Sequence, residues 1–99
     1  MFQTISSDEF YQKNKQTPLT ILDVREADEF ATGHIKGAVN LPLSILFEES
    51  RQLSRDKTHY VICHSGARSL AACGFLSSEG FQVINVLGGM STWKGDISE

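Results

Sequence analysis

The sequence is poor in cysteine and proline and has no long apolar run. Of its 99 residues, two are cysteine and two are proline. Cys63 and Cys73 form no C-x-x-C pair and fit no zinc-ligand spacing, so neither a metal site nor a disulfide framework is predicted. No apolar stretch approaches the roughly 20 residues of a membrane-spanning helix. The chain is therefore not expected to span or bind a membrane.

An excess of positive charge is also missing. Nine Lys and Arg residues stand against twelve Asp and Glu residues, for a net charge of −3. Nucleic-acid-binding proteins are more often basic or carry a basic stripe, so no nucleic-acid partner is predicted. The N-terminal segment MFQTISSDEFYQ lacks the positive and apolar regions of a secretory signal. Together with the low cysteine content, this favours a cytoplasmic location.

The remaining composition is that of an ordinary globular protein. Hydrophobic residues make up 40% and charged residues 21%, which excludes disordered and low-complexity classes. The length suits one hydrophobic core, and no repeat or linker is visible, so residues 1–99 are predicted to form a single domain.

Short β-rich runs alternate with helical segments, a pattern that predicts an α/β fold with a mostly parallel sheet. The predicted strands are Phe2–Ile5, Thr20–Val24, Ala38–Leu41, His59–Ile62 and Gln82–Val86. The predicted helices run from Ser6 to about Asn14 and over Glu26–Ala31, Leu43–Leu53 and Ser69–Glu79. Ligands bind at the carboxyl ends of parallel strands, so the loops after the second, fourth and fifth strands are expected to meet at one edge. Gly88 and Gly89, after the last strand, are expected to permit close approach to the loop after the fourth.

The candidate site centres on Cys63, which follows a strand and precedes a helix. Successive amide N–H groups of such a loop can form an anion-binding nest, and the next helix directs its positive end at the same place. Gly66 supplies backbone freedom, and Arg68 is the one permanent cation. A thiol in this setting ionises readily and becomes a nucleophile. The candidate anion-binding residues are His64, Ser65, Gly66, Ala67, Arg68 and Ser69.

Two structural alternatives stand beside this interpretation. Cys63 can instead be a small buried apolar residue, as free cysteines often are. Cys73 lies within an apolar helix without positive neighbours, so it is expected to pack in the core.

The spacing from Cys63 to Arg68 is C-x4-R, one residue shorter than the C-x5-R loop of cysteine phosphatases. The tighter loop suits one extra sulfur atom on the cysteine and is cramped for a phosphoryl group.

Three segments resemble the rhodanese (thiosulfate sulfurtransferase) family in its single-domain form. They are the loop CHSGARS, the preceding LDVREADEFATGHIKGAVNLPL and the C-terminal GFQVINVLGGMSTW, in the family's order. The resemblance implies a five-stranded parallel sheet with helices on both faces. It also implies that Cys63 takes sulfur from thiosulfate or a persulfide and passes it to a thiol, a protein thiol or cyanide, without a cofactor.

Other functions remain open from the sequence. A domain of this kind can relay sulfur between proteins or act as a regulatory binding module, and a cysteine phosphatase or arsenate reductase is a third hypothesis. Asp23 and Arg25 either brace the Cys63 loop or form a structural pair at the end of their strand. His64 either tunes the anion site or is a solvent-exposed loop residue.

Overall fold

The computed structural model describes residues 2–99, so Met1 of the predicted 1–99 unit lies outside the described residues. Five strands form one sheet in which every neighbouring pair is parallel. The strands are β1 (Gln3–Ile5), β2 (Thr20–Asp23), β3 (Val39–Asn40), β4 (Thr58–Ile62) and β5 (Gln82–Val86). Their order across the sheet is β1-β5-β4-β2-β3. The predicted α/β fold with a five-stranded parallel sheet is confirmed.

Four α-helices connect these strands within residues 2–99. They are α1 (Ser7–Gln16), α2 (Ala27–Ala31), α3 (Leu43–Glu49) and α4 (Ala67–Ser78). The helix predicted over 43–53 ends earlier, because a 3-10 turn at Ser50–Gln52 follows it and leads to Leu53, which packs on the core. None of the helices in this part of the chain has the length and apolar character needed to cross a membrane.

The sheet is covered on both faces, as alternation along its strands shows. Successive side chains of a strand point to opposite faces. Leu22 and Val61 belong to one apolar cluster, whereas their neighbours Ile21 and Tyr60 belong to another. The first cluster contains residues of α3 and α4, namely Leu46, Ala72, Cys73 and Leu76, and the second contains Phe10 of α1. Helices therefore pack on both faces, and Cys63 belongs to the cluster of the α3 and α4 face.

The chain diverges at the middle of the sheet. From β2 it continues through α2 to β3 on one side, and from β4 it continues through α4 to β5 on the other. Neighbouring parallel strands whose connections run in opposite directions leave a crevice at their carboxyl ends, the usual ligand site of open α/β sheets. Cys63 follows β4 at this point, so the fold places it where a ligand is expected.

Candidate active site

The loop between β4 and α4 is shorter than the sequence indicated. We predicted that the helix begins at Ser69, but it begins at Ala67. Gly66 precedes it with φ +115°, a conformation that residues with a Cβ rarely adopt. This backbone turns the chain directly into the helix. Ala67, Arg68 and Ser69 therefore occupy the first turn of α4 rather than the loop.

The sulfur of Cys63 faces positive backbone groups. The amide N–H of Gly66 donates a hydrogen bond to Sγ over 3.1 Å. The 12-residue helix α4 begins at the next residue, and its N-terminus carries roughly half a positive charge. Cys63 is only 1% exposed, whereas His64 and Ser65 beside it are exposed. The sulfur therefore lies out of contact with water and beside groups of partial positive charge, which favour an anion at this place.

A second contact to the sulfur comes from Ser69. Its Oγ lies 3.5 Å from Cys63 Sγ and donates towards Asn85 Oδ1 over 2.6 Å and Gly66 O over 3.1 Å. Ser69 and Asn85 are 0% and 2% exposed. The hydroxyl has one proton, so it can accept from the thiol while it donates to Asn85. When Cys63 ionises, the same proton can turn towards Sγ.

Replacing Ser69 with alanine is expected to slow alkylation of Cys63 at neutral pH, because the thiolate loses a hydrogen-bond donor. One hydrogen bond of about 1 kcal/mol corresponds to roughly fivefold in rate. The measurement is the rate of iodoacetamide modification, followed by intact mass. Ser78→Ala, an exposed serine of the same helix, serves as the control. Equal rates for Ser69→Ala and the wild type would show that the hydroxyl does not act on the sulfur.

The turn after β5 hydrogen-bonds to backbone carbonyl groups of the loop that contains Cys63. The amide of Met90 donates to the carbonyl of Cys63 over 2.7 Å, and the amide of Ser91 donates to the carbonyl of His64 over 2.8 Å. A Cβ on Gly89 would lie 2.2 Å from that same Cys63 oxygen. The predicted close approach at Gly88 and Gly89 is confirmed. Because the C=O and N–H of a planar trans peptide point in opposite directions, these bonds direct two loop amides away from the turn.

Arg68 does not stand as a free cation beside the sulfur. Its Nη1 and Nη2 donate to the two carboxylate oxygens of Glu29 on α2, over 2.5 and 2.9 Å. The hydrogen bonds from Arg68 are the main reason that the pKa of Glu29 falls to about 2. The cation expected at position 68 is therefore present, but it is paired with a carboxylate. The sequence could not show this pair, because it joins side chains 39 positions apart.

Asp23 and Arg25 form the structural pair rather than a brace for the loop. Arg25 Nη2 lies 2.8 Å from Asp23 Oδ2 and also donates to the carbonyl of Gly33. Asn40 donates to the carbonyls of both residues. Within residues 2–99, neither side chain hydrogen-bonds to the segment 63–69. The pair therefore fixes the end of β2 and the turn that follows it.

The second cysteine is a core residue, as predicted. Cys73 on α4 is 0% exposed. Burial raises the pKa of its thiol to about 12, with a smaller contribution from the charge of Cys63. At neutral pH this thiol stays protonated and is a poor nucleophile. Of the two cysteines, Cys63 is the one whose sulfur accepts a backbone amide at the start of a helix.

Sequence reasoning missed two residues of this site. From the sequence, Asn85 is predicted to be an ordinary residue of a buried strand. Glu29 is predicted to be a solvent-exposed acidic residue in the first turn of a short helix. Glu29 does have a local signal, because its carboxylate caps the amide of Glu26 over 3.0 Å. Nothing in the spacing indicates that Asn85 lies beside Ser69, since only the packing of α4 on β5 brings them together.

These features define a class of protein, namely an α/β protein with a thiol held in an anion-stabilising strand-to-helix loop. The model of the Rhodanese-like domain family matches residues 6–96, and the chain belongs to this family. It is 33% identical over 95 residues to the thiosulfate sulfurtransferase GlpE of Coxiella burnetii, a match covering 95% of this chain and 89% of that protein.

Two further matches bear on the fold and the role. The chain is 42% identical over 93 residues to the "Putative sulfur carrier protein YrkF" of Bacillus subtilis, covering 92% of this chain and half of that protein's length. The crystal structure of a rhodanese-related protein from Thermoplasma volcanium matches with a TM-score of 0.90 at 37% identity, over 98% of both chains. Family membership and the names of these relatives support a role in sulfur transfer.

Proposed function

We propose that the protein is a sulfurtransferase in which Cys63 carries the transferred sulfur. The Cys63 thiolate attacks the sulfane sulfur of thiosulfate or a persulfide. A new S–S bond forms at Sγ, the donor's S–S bond breaks, and sulfite or a thiolate leaves with its electron pair. A thiol or cyanide then attacks the outer sulfur and releases the Cys63 thiolate. No cofactor takes part, because the cysteine holds the transferred atom.

The observation that carries the proposal is the group of polar contacts around the Cys63 sulfur. The Gly66 amide reaches Sγ at 3.1 Å and the Ser69 hydroxyl lies at 3.5 Å, next to the N-terminus of α4. The Gly66 amide and the helix terminus are in place before reaction and stabilise negative charge on sulfur. The Ser69 hydroxyl donates to Asn85 in this structure and can turn its proton towards Sγ once the thiolate forms. The segment from Cys63 to Arg68 is one residue shorter than a phosphatase loop, which argues against phosphoryl transfer.

We take residues 1–99 as one rhodanese-like domain acting in the cytoplasm. Cys63 and Cys73 are both free, and a reducing compartment keeps the reactive thiol available. The proposed partners are a small sulfane-sulfur donor and a thiol acceptor, including a thiol on another protein that reaches the exposed residues His64 and Ser65.

A covalent intermediate is the direct test of this proposal. Incubation with a sulfane donor is expected to add one sulfur atom, about 32 Da, to Cys63, because that thiol is the activated nucleophile. Intact mass spectrometry and peptide mapping measure the addition, and cyanide is expected to remove it as thiocyanate. Sulfur on Cys73, or no adduct with any sulfane donor, would refute the assignment.

A sulfur relay is the second candidate, supported by the name of YrkF. In a relay, Cys63 accepts one sulfur but returns it slowly to small acceptors and quickly to a protein thiol. Comparing single-turnover release to a small thiol with release to a thiol on a protein separates the two functions, because only a relay favours the protein thiol strongly. Hydrolysis of an aryl phosphate would instead indicate a phosphatase, and none is expected.

A further inference from the structure

The ion pair between Glu29 and Arg68 joins α2 to the first turn of α4. Both hydrogen bonds run in parallel from the guanidinium to the carboxylate, a geometry stronger and more directional than a single contact. Each side chain is 34% exposed, so the pair lies at the surface beside the loop. Glu29 Oε1 also accepts from the Glu26 amide, which fixes the carboxylate in position.

This pair changes the charge that a donor meets. Arg68 is the one Lys or Arg in the segment 63–69 and lies in the first turn of α4, two residues after the Gly66 amide that contacts Sγ. The hydrogen bonds to Glu29 are the main reason that the pKa of Arg68 is raised, with a smaller contribution from Cys63. The positive charge of Arg68 is balanced by Glu29. The unbalanced positive groups at the sulfur are then the N–H groups at the start of α4, including that of Gly66, which together carry roughly half a positive charge. This small positive charge is better matched to a sulfur donor with one negative charge than to a donor with two.

We propose that Glu29 determines the donor class of this site: by holding Arg68, it favours donors with at most one negative charge beside the sulfane sulfur and disfavours dianions such as thiosulfate. The inference rests on the proposed sulfurtransferase function. Glu29 acts through Arg68 and is a specificity-determining residue rather than a catalytic one. When a dianion approaches the Cys63 thiolate, an unpaired Arg68 would offset the repulsion, but a paired one offsets much less.

Two donors of nearly equal shape isolate the effect of charge. Thiosulfate is a dianion, and methanethiosulfonate, CH3SO2S⁻, replaces one oxygen by a methyl group and carries a single charge. In both reactions Cys63 Sγ bonds to the terminal sulfur. Sulfite leaves from the first donor and methanesulfinate from the second, each with the electron pair of the broken S–S bond. Dividing each rate by that of the same donor with a small free thiol removes differences in intrinsic reactivity.

Glu29→Gln is the decisive variant. Glutamine keeps an oxygen for the Glu26 amide but removes the charge, so Arg68 becomes available to the donor. The thiosulfate rate divided by the methanethiosulfonate rate is expected to rise about fivefold to tenfold at low salt, and the rise is expected to shrink with added salt. Asp28→Asn, on the exposed neighbour in α2, makes the same change in net charge and is expected to leave the ratio near that of the wild type.

The double variant Glu29→Gln with Arg68→Gln tests whether the effect passes through Arg68. The gain for thiosulfate is expected to disappear in it, because the released cation is gone. An unchanged ratio in Glu29→Gln, or an equal rise in Asp28→Asn, would overturn the inference while sulfuration of wild-type Cys63 upholds the proposed function. Failure of both donors to modify wild-type Cys63 would overturn the function and the inference together.

Discussion

Replacing Cys63 with serine is expected to abolish sulfur transfer while leaving the protein folded. Serine fits the same buried space, but its hydroxyl is a weak nucleophile without an adjacent base, so the rate should fall by at least about a thousandfold. Thiocyanate formation measures the activity, and thermal unfolding monitors the fold. The midpoint of unfolding should stay close to that of the wild type, because the amide of Gly66 keeps an acceptor.

Cys73→Ala is the matched control for this loss. Its thiol is buried in the core of the α3 and α4 face, so the variant should keep most of the activity and lose about 1 kcal/mol of stability. If both cysteine variants lost activity equally, a disulfide between the two thiols would be the better mechanism, and the persulfide on Cys63 would have to be abandoned.

Replacing Gly89 with alanine is expected to destabilise the protein by about 3 kcal/mol or more, a large effect for one methyl group. Gly89 has φ +55°, and the added Cβ would lie 2.2 Å from the Cys63 carbonyl oxygen and 2.8 Å from that of His64. The backbone of the turn must move, which breaks the hydrogen bond from Met90 to Cys63. Urea unfolding measures the loss.

Gly74→Ala provides a control of opposite sign. Gly74 lies within α4, and an added Cβ there meets nothing within 4 Å. Alanine favours the helix by up to about 1 kcal/mol, so this variant should be slightly stabilised. A Gly89→Ala protein with the unfolding midpoint of the wild type would contradict the close packing of the last turn against the Cys63 loop.

The sheet and the position of Cys63 were predictable because both depend on local pattern. Short β-rich runs and their spacing predicted all five strands, and the strand-to-helix context singled out Cys63 before any contact was known. The start of α4 was missed by two residues because Gly66 precedes the helix without a side-chain cap. Helix starts are recognised in sequence by capping side chains, and glycine has none.

The ion pair of Arg68 was not predictable for a different reason. Whether an arginine faces a ligand or a carboxylate depends on which helix packs beside it. The helices α2 and α4 are far apart in the sequence and come together only in the folded protein. The same holds for Asn85, whose amide meets Ser69 because α4 lies along β5. Sequence pattern thus identified the candidate reactive atom, whereas the groups around it are set by tertiary contacts.

The burial of Cys73 bears on how the proposed persulfide on Cys63 would be unloaded. Burial raises the pKa of Cys73 to about 12, so this thiol stays protonated at neutral pH and does not supply a thiolate to displace the outer sulfur of a Cys63 persulfide. Under the proposed mechanism, the loaded form must wait for an acceptor from outside. Its residence time is then set by encounters with that acceptor, and each chain stores a single sulfur equivalent until one arrives.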